Sequence, residues 1–320
     1  MAVIAVQLLA PGTWSRWPWA PLAVGLLAGL PHGALDHLVP WWSAATGSWT
    51  RRRIARTTML MAAYAALAVL VFLLARLWAT PALLVLLLAS VVHFGTGESS
   101  VGDLRVGARG PAGRWIGPGT AMVLGPFVFW PATVRPVLEI VAPGSAAVLL
   151  GSTVLRVGAV VVALAVLTSA VACARGRRWG ELAELALLVA VVLLVPPLAA
   201  FGVYFGAWHG LRHLARLVDL DPANQEDLRS GRLLRPWLRI AAAAALPTGA
   251  VLVVFVVLLL TPGMVPGLLG AAVSTGLSVV LALTVPHMIV VAGLDRRRRA
   301  EQPRPRTQAR SDTTSGRSRR

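Results

Sequence analysis

Two histidines stand four positions apart in the stretch "YFGAWHGLRHLAR", residues 204–216, inside a long apolar run. On a helix, His209 and His213 project from one face about one turn apart, and two imidazoles so placed can bind one metal ion. The alternative interpretation is two buried histidines that donate to backbone carbonyls. Arg212 and Arg216 form a neighbouring stripe. Because arginine is costly in a membrane helix, we expect each to face a partner or to reach the interface.

A second polar group, "PHGALDH" at residues 31–37, interrupts another apolar run. Its proline and glycine loosen the helix locally, and His32 and Asp36 share a helical face at the i, i+4 spacing. A carboxylate beside an imidazole can fix the tautomer of the ring or can itself bind metal. A polar kink at the membrane interface is the alternative, although an aspartate and two histidines, the second being His37, are costly within a span.

Two further histidines lie in apolar surroundings. The stretch "HFGTGES", residues 93–99, places His93 and Glu98 at the end of an apolar run. For Glu98 we expect an exposed acid that ends a helix, with a functional role as the alternative. The stretch "TVPHMIVVAGLD", residues 284–295, places His287 directly after a proline. That histidine is either functional or bonded to a carbonyl that the proline frees.

The composition is that of a multi-span membrane protein. Of 320 residues, 57% are hydrophobic and only 13% are charged, against about 25% charged in an ordinary soluble domain; the mean hydropathy is +0.72. We therefore expect an all-α, polytopic bundle of transmembrane helices, with 134–151 as a re-entrant or interfacial piece because two prolines punctuate it. The apolar runs, several near the ~20 residues that a span needs, are 19–41, 54–78, 81–94, 116–132, 155–174, 182–195, 198–217, 239–261 and 266–293.

The net charge of +17 is concentrated in arginine blocks between the apolar runs. Such blocks favour the cytoplasmic side and contact anionic headgroups, so nucleic-acid binding is not expected. Counting crossings from these blocks predicts nine transmembrane helices, with the N-terminus outside and the C-terminus in the cytoplasm. We expect one transmembrane domain over 1–295 and a disordered, arginine-rich tail over 296–320. The single cysteine, Cys173, excludes an internal disulfide and a thiolate metal cluster.

The histidines share one topological property. Each lies in, or at the end of, a predicted helix that runs from outside to inside, within the middle or cytoplasmic half of that helix. The residues are His32, His37, His93, His209, His213 and His287. They can therefore share one depth in the membrane, which a common site requires.

The four motifs, in this order over roughly residues 20–295, resemble the Brp/Blh family of membrane β-carotene 15,15′-dioxygenases. The resemblance implies a non-haem Fe(2+) centre held by four histidines. Carried over motif by motif, these are His32, His93, His209 and His213. His37 and His287 are then left beside the ligands or in the substrate pocket, unless one of them replaces a ligand. Asp36 is the leading hydrogen-bond partner for a ligand histidine.

The resemblance also implies a reaction: O2 cleaves all-trans-β-carotene at its central double bond and gives two molecules of retinal, commonly used by rhodopsins. The polyene is about as long as the ~30 Å hydrocarbon core, so it must enter sideways from the lipid bilayer. The implied location is the cell membrane. Aromatic candidates for a polyene tunnel, each equally open to a packing role, are Tyr204, Phe205, Trp208, Phe94, Trp41 and Trp42.

Two other functions use histidines within membrane helices. A bis-histidine haem protein needs ligands from two helices facing a porphyrin-sized gap, whereas an i, i+4 pair crowds one edge. A metal or proton transporter needs polar residues strung through the depth of the bilayer. The outward halves of the predicted helices are almost free of charge, which counts against a transport path.

Overall fold

The computed structural model describes residues 2–17, 19–42, 50–260 and 268–301. Its described residues form helices and connecting turns, with no strand among them, which confirms the all-α class. The α-helices are α1 (Ala2–Leu9), α2 (Thr13–Arg16), α3 (Trp19–Gly33), α4 (Arg51–Leu77), α5 (Ala79–Val106), α6 (Ile116–Phe129), α7 (Pro131–Val141), α8 (Ser145–Leu149), α9 (Ser152–Arg175), α10 (Trp179–Leu194), α11 (Pro197–Val203), α12 (Leu211–Leu220), α13 (Gln225–Arg229), α14 (Leu234–Leu260) and α15 (Leu268–Glu301).

Several of these helices are suited to cross a membrane. Within the described residues, five are long and apolar enough, namely α4, α5, α9, α14 and α15, and α6 with α7 makes a sixth if the bent pair is one span. The chain is therefore an integral membrane protein. Helix α10 has only 16 residues and α3 only 15, below the ~20 residues that a perpendicular span needs. The nine crossings and their orientation remain predictions.

The segment that the sequence sets apart, 134–151, follows a sharp bend. Helices α6 and α7 meet at an angle of 103°, where Pro131 begins α7 and Trp130 donates from its indole Nε1 to the Val192 carbonyl at 2.8 Å. Proline at the first position of a helix loses no intrahelical bond, so the chain turns here at little cost. Such a bend belongs to a broken span or to a re-entrant loop.

Helix α3 is shorter than the predicted run 19–41, and this prediction was wrong in one respect. The helix ends at Gly33, and residues 34–38 form turns before a 3-10 helix, Val39–Trp41. Asp36 therefore lies beyond the helix and does not share a helical face with His32. The proline and glycine that the sequence shows here end the helix as well as loosen it, because both residues are poor helix formers.

The stretch that holds two of the histidines departs from α-helical geometry. Between α11 and α12, residues Tyr204–Gly210 form a π-helix, a rare form that is frequent at functional sites. Glycines let this stretch approach α3: a Cβ added to Gly206 would lie 2.6 Å from the carbonyl oxygen of Gly25. Any larger residue at 206 must therefore push the two helices apart.

Ion pairs join the helix ends on one side of the bundle, a group that we call the ion-pair layer. It connects the C-terminal parts of α5 and α15 with the start of α10 and with α12. Its members are Arg105–Glu184, Arg114–Asp103, Arg114–Glu181, Arg178–Asp103, Arg178–Glu181, Arg212–Glu98, Arg212–Glu184 and Arg216–Asp295.

The first residues of the predicted disordered tail, 296–301, are helical. Helix α15 includes them and continues to Glu301. Arginine is a good helix former, and cations in the last turns of a helix are favoured by the helix dipole. The rest of the predicted tail, 302–320, lies outside the described residues.

Candidate metal centre and its cavity

Five of the six histidines form one buried cluster. Ring centroids lie 5.2 Å apart for His93 and His209, 5.6 Å for His32 and His209, and 5.5 Å for His32 and His213. The fifth ring, His287, lies 4.9 Å from His32, 5.2 Å from His93 and 5.5 Å from His213. The structure thus brings together residues from four separate motifs of the sequence.

Each ring is placed by a different local feature of the chain. His32 lies in the last turn of α3, and His93 lies in the middle of α5. His209 belongs to the π-helix and His213 to α12, and their rings stack at 15° with centroids 6.3 Å apart. This stacking agrees with the shared face that the spacing predicts. His287 follows Pro286 within α15.

The cluster offers lone pairs that nothing else uses. The Nδ1 atom of His32 donates to the Gly29 carbonyl, and because a carbonyl only accepts, the proton is on Nδ1 and the lone pair on Nε2. The Nε2 atoms of His209, His213 and His287 are buried and have no hydrogen-bond partner among the described residues. Buried polar atoms are normally satisfied, so orphaned imidazole nitrogens within one cluster of rings fit a bound cation.

The spacing of the rings also fits one ion, although the imidazole nitrogens do not point at one common position. Two imidazoles on one ion, with metal–nitrogen distances of ~2.0–2.1 Å, have centroids about 4.5–6.5 Å apart, and every separation given above falls in that range. Among the described residues, however, no group of three or more histidine, cysteine, aspartate or glutamate side chains is arranged to hold an ion. Binding therefore requires the rings to turn about their side-chain bonds.

Asp36 holds His287 rather than His32. Its carboxylate is 2% exposed and accepts from His287 Nδ1 at 2.9 Å. The hydroxyl of Tyr64, on α4, donates to the same carboxylate at 3.1 Å and lies 3.3 Å from the Leu283 carbonyl. Of the two alternatives for His287, a bond to a carbonyl freed by the proline is therefore not the one that its Nδ1 makes.

Glu98 is buried, so the expectation of an exposed acid was wrong. It lies within α5, which continues to Val106. Its carboxylate accepts from Arg212 at 2.6 Å, from Trp208 Nε1 at 3.0 Å and from the Tyr204 hydroxyl at 3.3 Å. His209 Nδ1 lies 3.7 Å from the same carboxylate, which is too long for a hydrogen bond.

The two arginines beside the histidine pair have acidic partners, as expected. Arg212 binds Glu98 and Glu184, and its guanidinium lies 3.9 Å from the centroid of the Trp208 ring. Arg216 is 4% exposed and pairs with Asp295 on α15. Arg212 thus ties α12 to α5 and α10, and Arg216 ties α12 to α15.

His37, the sixth histidine, stands apart from the other rings. Its Nδ1 donates to the Ala34 carbonyl at 2.9 Å, and it is only half-buried. Its side chain lines the neighbouring cavity. Of the two histidines that the sequence leaves without a definite role, His287 joins the cluster and His37 does not.

The cluster forms part of the wall of an apolar cavity of about 740 Å³. Its wall includes residues of α3, α4, α5, α6, α7, α11, α14, α15 and the π-helix, and His32, His93 and His287 are among them. This volume is within the usual range for pockets that bind small molecules, ~300–1,000 Å³. Leu246 lines the cavity and is 83% exposed, so the cavity reaches the outer face of α14.

The aromatic candidates divide between the cavity and other places. Tyr204, Phe205 and Phe94 line the cavity. Trp208 instead lies between Glu98 and Arg212. The remaining two candidates, Trp41 and Trp42, are not among the residues that line the cavity. Trp41 lies beside Arg53, and Trp42 packs on the apolar cluster that contains Leu35.

Sequence reasoning missed Tyr64, Phe127 and Phe201, all of which line the cavity. A signal for Tyr64 was present in the composition, since the chain has only two tyrosines. Both bond to a buried carboxylate beside the histidines, Tyr64 to Asp36 and Tyr204 to Glu98. No signal within α4 itself marks the residue.

The fold and the site together define a class of protein: a helical membrane protein with clustered imidazoles on the wall of an apolar cavity. The chain belongs to the β-carotene 15,15′-dioxygenase family, whose sequence model matches residues 23–295. It is 32% identical to the probable β-carotene 15,15′-dioxygenase Blh of Halobacterium salinarum over 305 residues, which cover 87% of this chain and 84% of the relative.

A second relative comes from an uncultured marine bacterium, 66A03. This β-carotene 15,15′-dioxygenase is 24% identical over 276 residues, which cover 85% of this chain and 92% of the relative. No solved structure matches the chain significantly. The matched region contains all six histidines and both buried carboxylates of the site.

Proposed function

We propose that this chain is a membrane non-haem iron dioxygenase that cleaves all-trans-β-carotene at its central 15,15′ double bond with O2. The products are two molecules of all-trans-retinal. One observation carries the proposal: a buried cluster of imidazoles forms part of the wall of an apolar cavity that reaches the outer face of a helix. Membership of the family supports the same reaction.

The proposed iron ligands are His32, His93, His209 and His213. Neutral imidazoles suit Fe(II) among the first-row metals, and the orphaned Nε2 atoms of the cluster are donors of this kind. When bound, iron supplies the oxygen chemistry that protein side chains cannot perform. The chain itself must present unprotonated nitrogens, and the Gly29 carbonyl does this for His32 by accepting its Nδ1 proton.

The cavity performs the second task, which is to hold a long apolar substrate and exclude water. Its wall is built mainly from leucine, valine, alanine and phenylalanine side chains. A polyene gains about 25 cal/mol for each Å² that it buries, so these surfaces can bind it without directional contacts. Leu246, exposed on the outer face of α14, marks where substrate enters from lipid.

The two buried carboxylates orient the rings. Asp36 accepts from His287 Nδ1 and so fixes that imidazole beside the cavity. Glu98 fixes the π-helix through Tyr204 and Trp208, and this stretch contains His209. Of the two, Glu98 supports the stretch that contains a proposed ligand, and groups behind a metal ligand typically change affinity or activity by 10–100-fold when removed.

The proposal extends to the placement of the enzyme. It is a multi-pass protein of the cell membrane with nine crossings, an outside N-terminus and one catalytic domain over 1–295. The tail faces the cytoplasm, and the retinal product serves a rhodopsin. Reporter fusions at Arg105 and after Arg320 should both report the cytoplasm, and a signal from outside at either position would contradict this topology.

The reaction is tested in a bacterial host that makes β-carotene. Expression of the chain should convert β-carotene into retinal, measured by HPLC. The amount of retinal formed should be two molecules for each molecule of β-carotene lost. Apocarotenals longer than retinal would contradict cleavage at the central bond. Unchanged β-carotene with folded, iron-loaded protein in the membrane would contradict the proposal that β-carotene is the substrate.

Neither of the two other functions, a bis-histidine haem protein and a metal or proton transporter, gains support from the relatives.

A further inference from the structure

The fifth ring of the cluster, His287, has no role in the four-histidine centre. Its centroid nevertheless lies 4.9 Å from His32 and 5.2 Å from His93. The first is the shortest centroid separation given for these five imidazoles and the second equals that of His93 and His209, so His287 belongs to the cluster as fully as the four proposed ligands. A residue that only lined the cavity would not need to contact rings on two other helices.

The hydrogen bonding of His287 leaves one nitrogen free and directed away from its partner. Nδ1 donates to the Asp36 carboxylate at 2.9 Å, which places the lone pair on Nε2. That Nε2 is buried and has no hydrogen-bond partner among the described residues, as is also true of His209 and His213. A carboxylate behind an imidazole whose other nitrogen is vacant is the usual arrangement for a metal-binding histidine.

The Asp36 carboxylate that bonds to His287 is itself held by a further hydrogen bond. Asp36 lies in the turn after α3, where its carboxylate also accepts from the Tyr64 hydroxyl at 3.1 Å. Tyr64 lies on α4 and reaches the Leu283 carbonyl of α15 at 3.3 Å. Three elements thus hold one imidazole in a fixed orientation.

We propose that His287 is a fifth iron ligand, oriented by Asp36 and, through Asp36, by Tyr64. The inference rests on the proposed iron dioxygenase function and adds a ligand to its metal centre. Asp36 and Tyr64 are positioning residues, since they act on the metal only through the imidazole. His37 is the matched control, because it lies next to Asp36 in the chain and lines the same cavity but bonds to a backbone carbonyl away from the cluster.

The test measures metal binding rather than turnover. Metal-stripped protein in detergent is titrated anaerobically with Fe(II), with affinity measured against a competing chelator, for the wild type and for His287→Ala, Asp36→Asn, Tyr64→Phe and His37→Ala. We expect His287→Ala and Asp36→Asn to weaken iron binding about 10–100-fold, and Tyr64→Phe to weaken it by a smaller factor. His37→Ala should bind iron as the wild type does.

A spectroscopic measurement separates a ligand from a structural residue. The visible spectrum of Co(II)-substituted protein depends on the number and geometry of its ligands, so it should change in His287→Ala and stay unchanged in His37→Ala. Added imidazole can reach the vacant position from the cavity and should restore both the spectrum and the iron affinity of His287→Ala. If His287→Ala does not fold, His287→Gln keeps a donor for Asp36 and takes its place in the titration.

The outcomes separate this inference from the proposed function. Full iron affinity and an unchanged Co(II) spectrum in His287→Ala, with iron lost in His209→Ala, would overturn the fifth ligand and leave the four-histidine centre intact. Full iron affinity in His209→Ala as well would overturn the four-histidine centre itself.

Discussion

The histidine cluster borders two regions that are built on opposite principles. On one side lies the ion-pair layer, which reaches the cluster where Glu98 stands beside His209. On the other side lies the apolar cavity, lined by His32, His93 and His287. The layer depends on directional pairs of charged groups, whereas the cavity depends on the shape and volume of apolar side chains.

The difference indicates which task each region performs. Charges buried among apolar helices are costly unless each one is paired, so a change in the layer should act on stability and on the placement of His209. Apolar side chains are individually exchangeable when the volume is conserved, so a change in the cavity should act on substrate. The histidines depend on both regions, since they must be held rigidly and yet face the polyene.

The largest expected effect is in the histidine cluster, which lies between the ion-pair layer and the cavity. His209→Ala or His213→Ala should abolish retinal formation, because each removes an imidazole from the proposed iron centre. Retinal in a β-carotene-producing host is the readout, with protein in the membrane fraction as the control for folding. Wild-type activity in His213→Ala would rule out a centre that needs four histidines.

In the ion-pair layer, Arg212→Met should destabilise the protein. The substitution leaves the Glu98 carboxylate, whose side chain is 8% exposed, without its cation, and breaking a buried pair in this way costs about 3–5 kcal/mol. Thermal unfolding in detergent measures the loss. The double variant Glu98→Gln with Arg212→Met should recover part of it, and strictly additive losses would show that the two groups are not coupled.

In the cavity, Ser90→Phe should lower retinal formation about tenfold or more while iron binding stays intact. Ser90 lies one turn before His93 on α5 and lines the cavity, so a benzyl group there displaces substrate, and small misplacements of a substrate cost up to ~10²-fold in rate. Ser90→Ala controls for loss of the hydroxyl and should cost far less. Equal losses in the two variants would mean that volume at this position does not matter.

The smallest expected effect lies outside both regions. Removal of residues 302–320 should leave retinal formation unchanged, because a segment of this composition buries little apolar surface. Retinal is measured against the full-length chain at equal protein in the membrane. A clear loss of activity with normal membrane insertion would assign the tail a part in catalysis.

The sequence predicts the members of the cluster better than it predicts their partners. The spacing of His209 and His213 on one helical face follows from periodicity, and the prediction that the histidines share one depth follows from charge; both are local properties of the chain. The partner of Asp36 does not follow in this way. His287 is 251 positions away in the chain, and its approach depends on how α15 packs beside the turn after α3.

The error over Glu98 has a related cause. Its neighbours in the sequence are glycines and serines, which suggest a helix end, but the α5 helix continues and packs against the π-helix. The three groups that satisfy Glu98 lie more than 100 positions away, at Tyr204, Trp208 and Arg212. A buried acid can be recognised from sequence only when its partner is also local.

The central claim, that the buried histidines bind the iron that cleaves β-carotene, is tested most directly by removing and restoring the metal. Purified protein in detergent is stripped with a chelator, assayed for retinal by HPLC, and then assayed again after anaerobic addition of Fe(II) or Zn(II) followed by O2. We predict that the stripped protein makes no retinal, that Fe(II) restores the activity and that Zn(II), which has no redox chemistry, does not. Retinal formation by protein shown to contain no iron would contradict the account.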